Sequence, residues 1–160
     1  MIGKFALASL AVALVLSVLS VVASIDNSRV DSWLDRARDA GNPEQVAEFL
    51  GEYKAALYAK NRVDGQYYTI WKYPASDMET YVSIIDGLTQ RAEALAEQTA
   101  VDESYQMGLI NLEKDLDDID ARSFSAWFAN GGYVLEIFHG LAWTALMVLG
   151  AIKMLNLYRY

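Results

Sequence analysis

Apolar positions along the chain follow two different patterns. From Phe5 to Ile25 the residues are Phe, Ala, Leu, Ser, Val and Ile without one charge. At ~1.5 Å rise per residue, a helix of that length crosses the ~30 Å hydrocarbon layer of a bilayer. A second apolar run, from about Tyr133 to Ile152, follows an expected break at Asn130-Gly131-Gly132. Trp127, Phe128 and Tyr133 flank its outer edge and Tyr158 and Tyr160 its inner edge, where amphipathic rings suit the headgroup zone. Lys153 is placed to extend its ammonium to the adjacent surface. A cleaved secretory signal competes for the first run, with Lys4 as its basic start and Val21-Val22-Ala23 as its cleavage site. The length of the apolar stretch favours an uncleaved signal anchor.

Between the two runs the apolar residues recur every three or four positions, the period of amphipathic helices. A first stretch, about Ser28 to Ala40, extends the first span and ends at Gly41. Asn42 is the expected N-cap of a second, with Pro43 at its first position and Gln45 as capping-box partner. Its apolar side is Val46, Phe49, Leu50, Tyr53 and Leu57. After a loop from about Asn61 to Ala75, Ser76 and Glu79 form a second capping box. The third helix presents Met78, Tyr81, Ile85, Leu88, Ala92 and Leu95; the fourth presents Tyr105, Leu109, Leu112, Leu116 and Ile119. These two seams fall out of phase around Thr99 to Asp102, which predicts a tight turn; one continuous helix is the alternative.

The expected fold is therefore all-α. A transmembrane helix over 1–25 and another over 131–154 flank an extracytoplasmic, mostly helical domain over 26–130, a four-helix bundle or helical hairpin. A short cytoplasmic tail over 155–160 follows. Charge sets the orientation: Lys4, Lys153 and Arg159 lie at the ends, while nearly all acids lie between Asp26 and Arg122. Basic ends point both termini to the cytoplasm and the central domain to the periplasm or exterior of an inner membrane. The net charge of −8 argues against nucleic acid as a partner. No cysteine and a single histidine, His139, exclude thiolate chemistry and multi-histidine metal sites within one chain.

Candidate chemistry is sparse. Glu136 and His139 sit three apart on one face of the second span, and ionisable groups within hydrocarbon call for protein, water or a cofactor beside them. Glu-Ile-Phe-His has the spacing of half a di-iron carboxylate site, but the other ligands are missing. His139 alone, with Gly140 beside it, could ligate a haem or chlorophyll-type pigment; the plainer reading is a packing hydrogen bond. A small-residue stripe, Ser9, Ala13, Ser17, Ser20 and Ser24, runs along the first span, and Gly140 and Thr144 lie on the second. Small residues let membrane helices approach closely, so this set is the expected helix-packing surface. The loop aromatics Tyr67, Tyr68, Trp71 and Tyr73 are candidates for partner binding, or for a lid over the core. Asp115, Asp117, Asp118 and Asp120 lack the glycine turn of a calcium loop and are expected on a solvated helix face. No nucleophile triad or phosphate loop is present.

These residues point to a non-catalytic accessory subunit of a larger membrane complex, embedded in membrane lipid and packed on other integral-membrane subunits. The order span, helical domain, span also resembles that of bacterial chemoreceptor and histidine-kinase sensor regions. That resemblance lies in topology alone and implies a sensory module without an output domain of its own. A pigment-carrying subunit is the third alternative, and no cofactor is expected under the first two.

Overall fold

The computed structural model describes residues 2–65, 67, 77–98 and 102–157. All regular structure among them is helical: α1 (Ile2–Arg38), α2 (Pro43–Ala59), α3 (Met78–Ala96), α4 (Glu103–Asp117), α5 (Ser123–Trp127), a π-helical turn (Phe128–Gly132) and α6 (Tyr133–Leu157). The chain divides into two compact units, one made of 1–25 with 131–160 and the other of 26–130. Two helical runs, Leu7–Arg38 and Ser123–Met154, are long and apolar enough to cross a membrane.

Local chemistry sets the ends of the helices in the 26–130 unit. Asn42 caps α2 through its side-chain oxygen, which accepts from the Gln45 amide at 2.9 Å, and Pro43 takes the first position. At the other end Asn61 is left-handed, with φ 54°. Its amide bonds the Tyr58 carbonyl and the Arg62 amide bonds that of Leu57. This pair of bonds is a Schellman motif closed by asparagine rather than glycine. The expected cap of α3, Ser76, lies outside the described residues; the N-cap position falls on Asp77, which makes no side-chain cap bond. Helices α3 and α4 are separate elements, as the phase change of their seams predicted. They meet closely at Gly108, where a Cβ would collide with the Leu95 side chain.

One apolar core draws on all five helices of this unit. Val30, Leu34 and Ala37 come from α1; Val46, Leu50, Tyr53 and Leu57 from α2; Met78 through Leu95 from α3; Leu112 and Leu116 from α4; and Ala126 from α5. Every position assigned to the α3 seam from its spacing is buried. Phe49, Tyr105, Leu109 and Ile119 are half-buried. Arg38 ties α1 to the end of α4, donating to the Leu116 carbonyl at 3.3 Å and also to that of Ile119. A cation there meets the negative end of the helix dipole.

Two expectations are corrected. The Asn130-Gly131-Gly132 segment is not a helix break: it lies in the π-helical turn that joins α5 to α6. Gly131 has φ +115°, a conformation only glycine adopts cheaply, so the backbone departs locally from right-handed helical geometry within this turn. The acidic cluster is not one helix face either, because α4 ends at Asp117. Asp115 pairs with Arg91 at 2.6 Å and Asp120 with Arg122 at 2.9 Å.

Candidate functional site

Within the unit made of 1–25 and 131–160, one face of α1 meets one face of α6. Ser9, Leu16, Ser17 and Ser20 are half-buried there, and Ala13 is fully buried. The absent bulk at Ala13 is what lets the two backbones approach. Beside it His139 reaches across. Its Nε2 lies 2.8 Å from Ser17 Oγ, and its Nδ1 lies 3.5 Å from Ser20 Oγ and 3.6 Å from Glu136 Oε2. Trp143 Nε1 donates into the same knot, 2.9 Å from His139 Nε2 and 3.2 Å from Ser17 Oγ. Ser17 also donates to the Ala13 carbonyl at 2.8 Å.

The protons can be distributed consistently. With Ser17 donating to Ala13, its oxygen is free to accept from His139 Nε2–H and from Trp143. In the other tautomer, Nε2 accepts from Trp143 and Nδ1–H points toward Glu136 and Ser20. The first arrangement gives each of the 2.8–3.2 Å contacts around Ser17 Oγ a proton. A metal held by His139 Nε2 would have to displace both Ser17 and Trp143 from that nitrogen. Among the described residues, no group of three or more His, Asp or Glu side chains is placed to hold a metal ion.

The sequence-derived stripe is thus brought together in part. Ser17 and Ser20 meet His139 of α6, Ala13 is buried and Ser9 half-buried on the same helix, and Glu136 lies beside His139. Ser24, Gly140 and Thr144 are exposed and take no part in this pairing; Thr144 bonds back to the Gly140 carbonyl at 2.8 Å. Trp143, 40% exposed, is a donor within the knot. Its spacing of four from His139 on one helix face was the available signal.

A second polar site, in the 26–130 unit, was missed. Asn27 and Asp31 lie four apart on α1, on the face that also carries Val30 and Leu34. Ser123, the first residue of α5, donates to the Asn27 carbonyl at 3.1 Å and hydrogen-bonds Asp31. Arg62 follows the Schellman turn and is only 5% exposed; it pairs with Asp26 at 3.1 Å, and Lys60 joins the same carboxylate at 2.6 Å. Lys60 and Arg62 hold the Asp26 carboxyl below its ordinary range against the opposing effect of burial. Burial pushes the Asp31 carboxyl up, although Ser123 and Arg62 oppose it. Nearby, Tyr53 and Tyr81 share a hydrogen bond of 3.1 Å, and Tyr81 donates to the Asp120 carbonyl at 2.9 Å. Burial moves the Tyr53 hydroxyl up to about 12 and raises that of Tyr81 further. The signal for this site was the α1 seam itself. Ala23, Asn27, Val30, Leu34 and Ala37 alternate by four and three, so a polar side chain occupies a core position.

Of the loop aromatics, Tyr67 belongs to the shell of the core. Its ring sits edge-on to Tyr81 at 6.3 Å, with the Arg122 guanidinium 4.7 Å above it. Tyr68, Trp71 and Tyr73 lie outside the described residues. No protein-family model, curated protein or solved structure matches this chain.

Proposed function

We propose that this chain is a two-span integral membrane protein that acts as a non-catalytic accessory subunit of a larger membrane complex. Both termini face the cytoplasm, on the basic residues Lys4, Lys153 and Arg159, and the 26–130 domain lies on the opposite side. The outward side chains of both helices, Leu7, Val15 and Val22 on α1 and Phe138, Leu141 and Met147 on α6, are apolar and suit lipid. The observation that carries the accessory role is what α1 leaves uncovered on α6. Gly140 and Thr144 stay open, and a Cβ on Gly140 would meet nothing within 4 Å. A small-residue face on a helix otherwise clothed in large apolar side chains supports close packing by a helix of another subunit. The Ser17–His139–Trp143 knot, in this reading, fixes which face of α6 is presented.

Gentle detergent extraction from native membranes, followed by identification of co-migrating proteins, tests the proposal. Stoichiometric association that Gly140→Leu abolishes, while Ser24→Leu leaves it intact, is the expected result. A wild-type chain that migrates alone would overturn it. A sensory module is the second reading, favoured by one observation: α1 is a single helix from Ile2 to Arg38, without a loop between its apolar stretch and its part of the domain. A ligand-dependent shift in melting of the full chain, with no co-migrating subunit, would favour that reading instead.

A further inference from the structure

The polar centre at the start of the 26–130 unit has more buried polar atoms than partners. Asn27 is 2% exposed, and neither its Oδ1 nor its Nδ2 has a hydrogen-bond partner; Asp31 Oδ1 and Arg62 Nη1 share that condition. Buried polar groups in folded proteins are almost always paired, because an unpaired one forfeits its hydration without replacement. Four such atoms on three residues disfavour the closed arrangement relative to any that exposes them to water.

The elements closing over these atoms are held more by polar contacts than by apolar burial. Helix α5 has five residues and buries only Ser123 and Ala126, so it contributes little apolar area. The turn that carries Arg62 is fastened by polar contacts: the two Schellman bonds, the Met78 amide on the Gly65 carbonyl at 2.8 Å, Asn130 on the Asp64 carbonyl at 3.2 Å, and the Lys60 and Arg62 pairs with Asp26. By contrast, α2 and α3 bury Leu50, Leu57, Ile85 and Leu88 completely or nearly so. Local opening concentrates where buried apolar contact is small.

We infer that this centre is a built-in joint: α5 and the 60–65 turn lift from the Asn27–Asp31 face of α1, hydrating the unpaired atoms, while the α2–α3 core stays closed. The position matters because α5 leads through the π-helical turn into α6, so a partner or ligand that favours either form of the joint has a handle on the chain entering the second apolar run. The inference does not depend on the accessory-subunit reading and survives its failure.

Hydrogen exchange on the full chain in lipid nanodiscs tests it. Amides of 61–65 and 123–127 are expected to exchange at least about tenfold faster than those of 50–57 and 85–95, the contrast of a sub-global opening. Asn27→Leu, close to isosteric, removes two unpaired atoms and is expected to slow exchange in both joint segments several-fold. It should leave the 50–57 and 85–95 rates in place and raise the melting temperature. Asn27→Ala removes the same two atoms without adding volume and is expected to act in the same direction, which keeps the test decisive should Asn27→Leu fail to fold. Joint segments that exchange as slowly as the core would overturn the inference. So would substitutions that leave joint exchange unchanged or faster.

Discussion

At the scale of single residues, the polar side chains in apolar surroundings are sorted by whether their partners are supplied. His139 is fully partnered: Ser17, Ser20, Glu136 and Trp143 surround its ring. Ser17→Val or His139→Leu should each weaken the pairing of α1 with α6 by ~1 kcal/mol, the scale of interhelical hydrogen bonds in membranes. Thermal melting of the variants in one detergent measures this, and an unchanged midpoint for both would show the knot to be energetically idle. Asp31 is the opposite case. Burial raises its carboxyl above the ordinary 3.8, so the fold prefers the neutral form. Its contribution to stability is therefore complete below the ordinary value and declines as pH rises through the raised one. Asp31→Asn should melt higher than wild type at pH 7, and the difference should vanish near pH 3.5. Asp26 runs the other way: its carboxyl is lowered by Lys60 and Arg62, so its contribution is present at neutral pH and lost on acidification. Asp26→Asn should lower the melting temperature at pH 7 and have little effect in acid.

At the scale of elements, helix ends and helix faces differ in how openly the sequence declares them. Asn42-Pro43 marks the start of α2 by its chemistry alone, and Asn42→Ala should cost ~1 kcal/mol, read from chemical unfolding of the full chain. The seams of α2, α3 and α4 were legible because buried positions recur at a fixed angle around a helix, whatever the partner. The end of α4 was not. Its last carbonyls are met by Arg38, 78 residues earlier in sequence from Leu116, and nothing within the α4 sequence announces that contact. Arg38→Ala should destabilise by ~1–2 kcal/mol, with fraying of α4 seen as faster exchange at 113–117. The glycine pair at 131–132 misled for a related reason. Glycine permits both a helix stop and a widened turn, and only the neighbouring helices decide between them.

At the scale of the whole chain, two apolar runs and an acidic, amphipathic middle give two compact units, and each unit buries a different kind of surface. The 26–130 unit is held by an apolar core with a polar centre at one edge. In the unit formed by the chain's two ends, side-chain hydrogen bonds join Ser17 and Ser20 to His139 and Trp143 beside the buried Ala13. Ala13→Leu tests that distinction. Leucine raises hydrophobicity, yet it should separate the two helices because position 13 has no room. Cross-linking of a cysteine pair placed at Ser20 and His139, whose side chains lie 3.5 Å apart, should fall several-fold in this variant, with no native cysteine to interfere.

The sequence by itself determined the helical class, the two apolar runs, the seams of the central helices and the cap of α2. Each of these depends on residues within one turn or one face of a helix, where spacing and side-chain chemistry act locally. Only the tertiary structure decided that Ser17 and Ser20 pair with His139 within the chain, that Gly140 and Thr144 are left open, and that Asn27, Asp31, Arg62 and Ser123 converge. The reason is the same in each case. A polar or small residue on a helix states that something must lie close to it, and what lies there is fixed by a segment up to 126 residues away, as Ser17 and Trp143 illustrate.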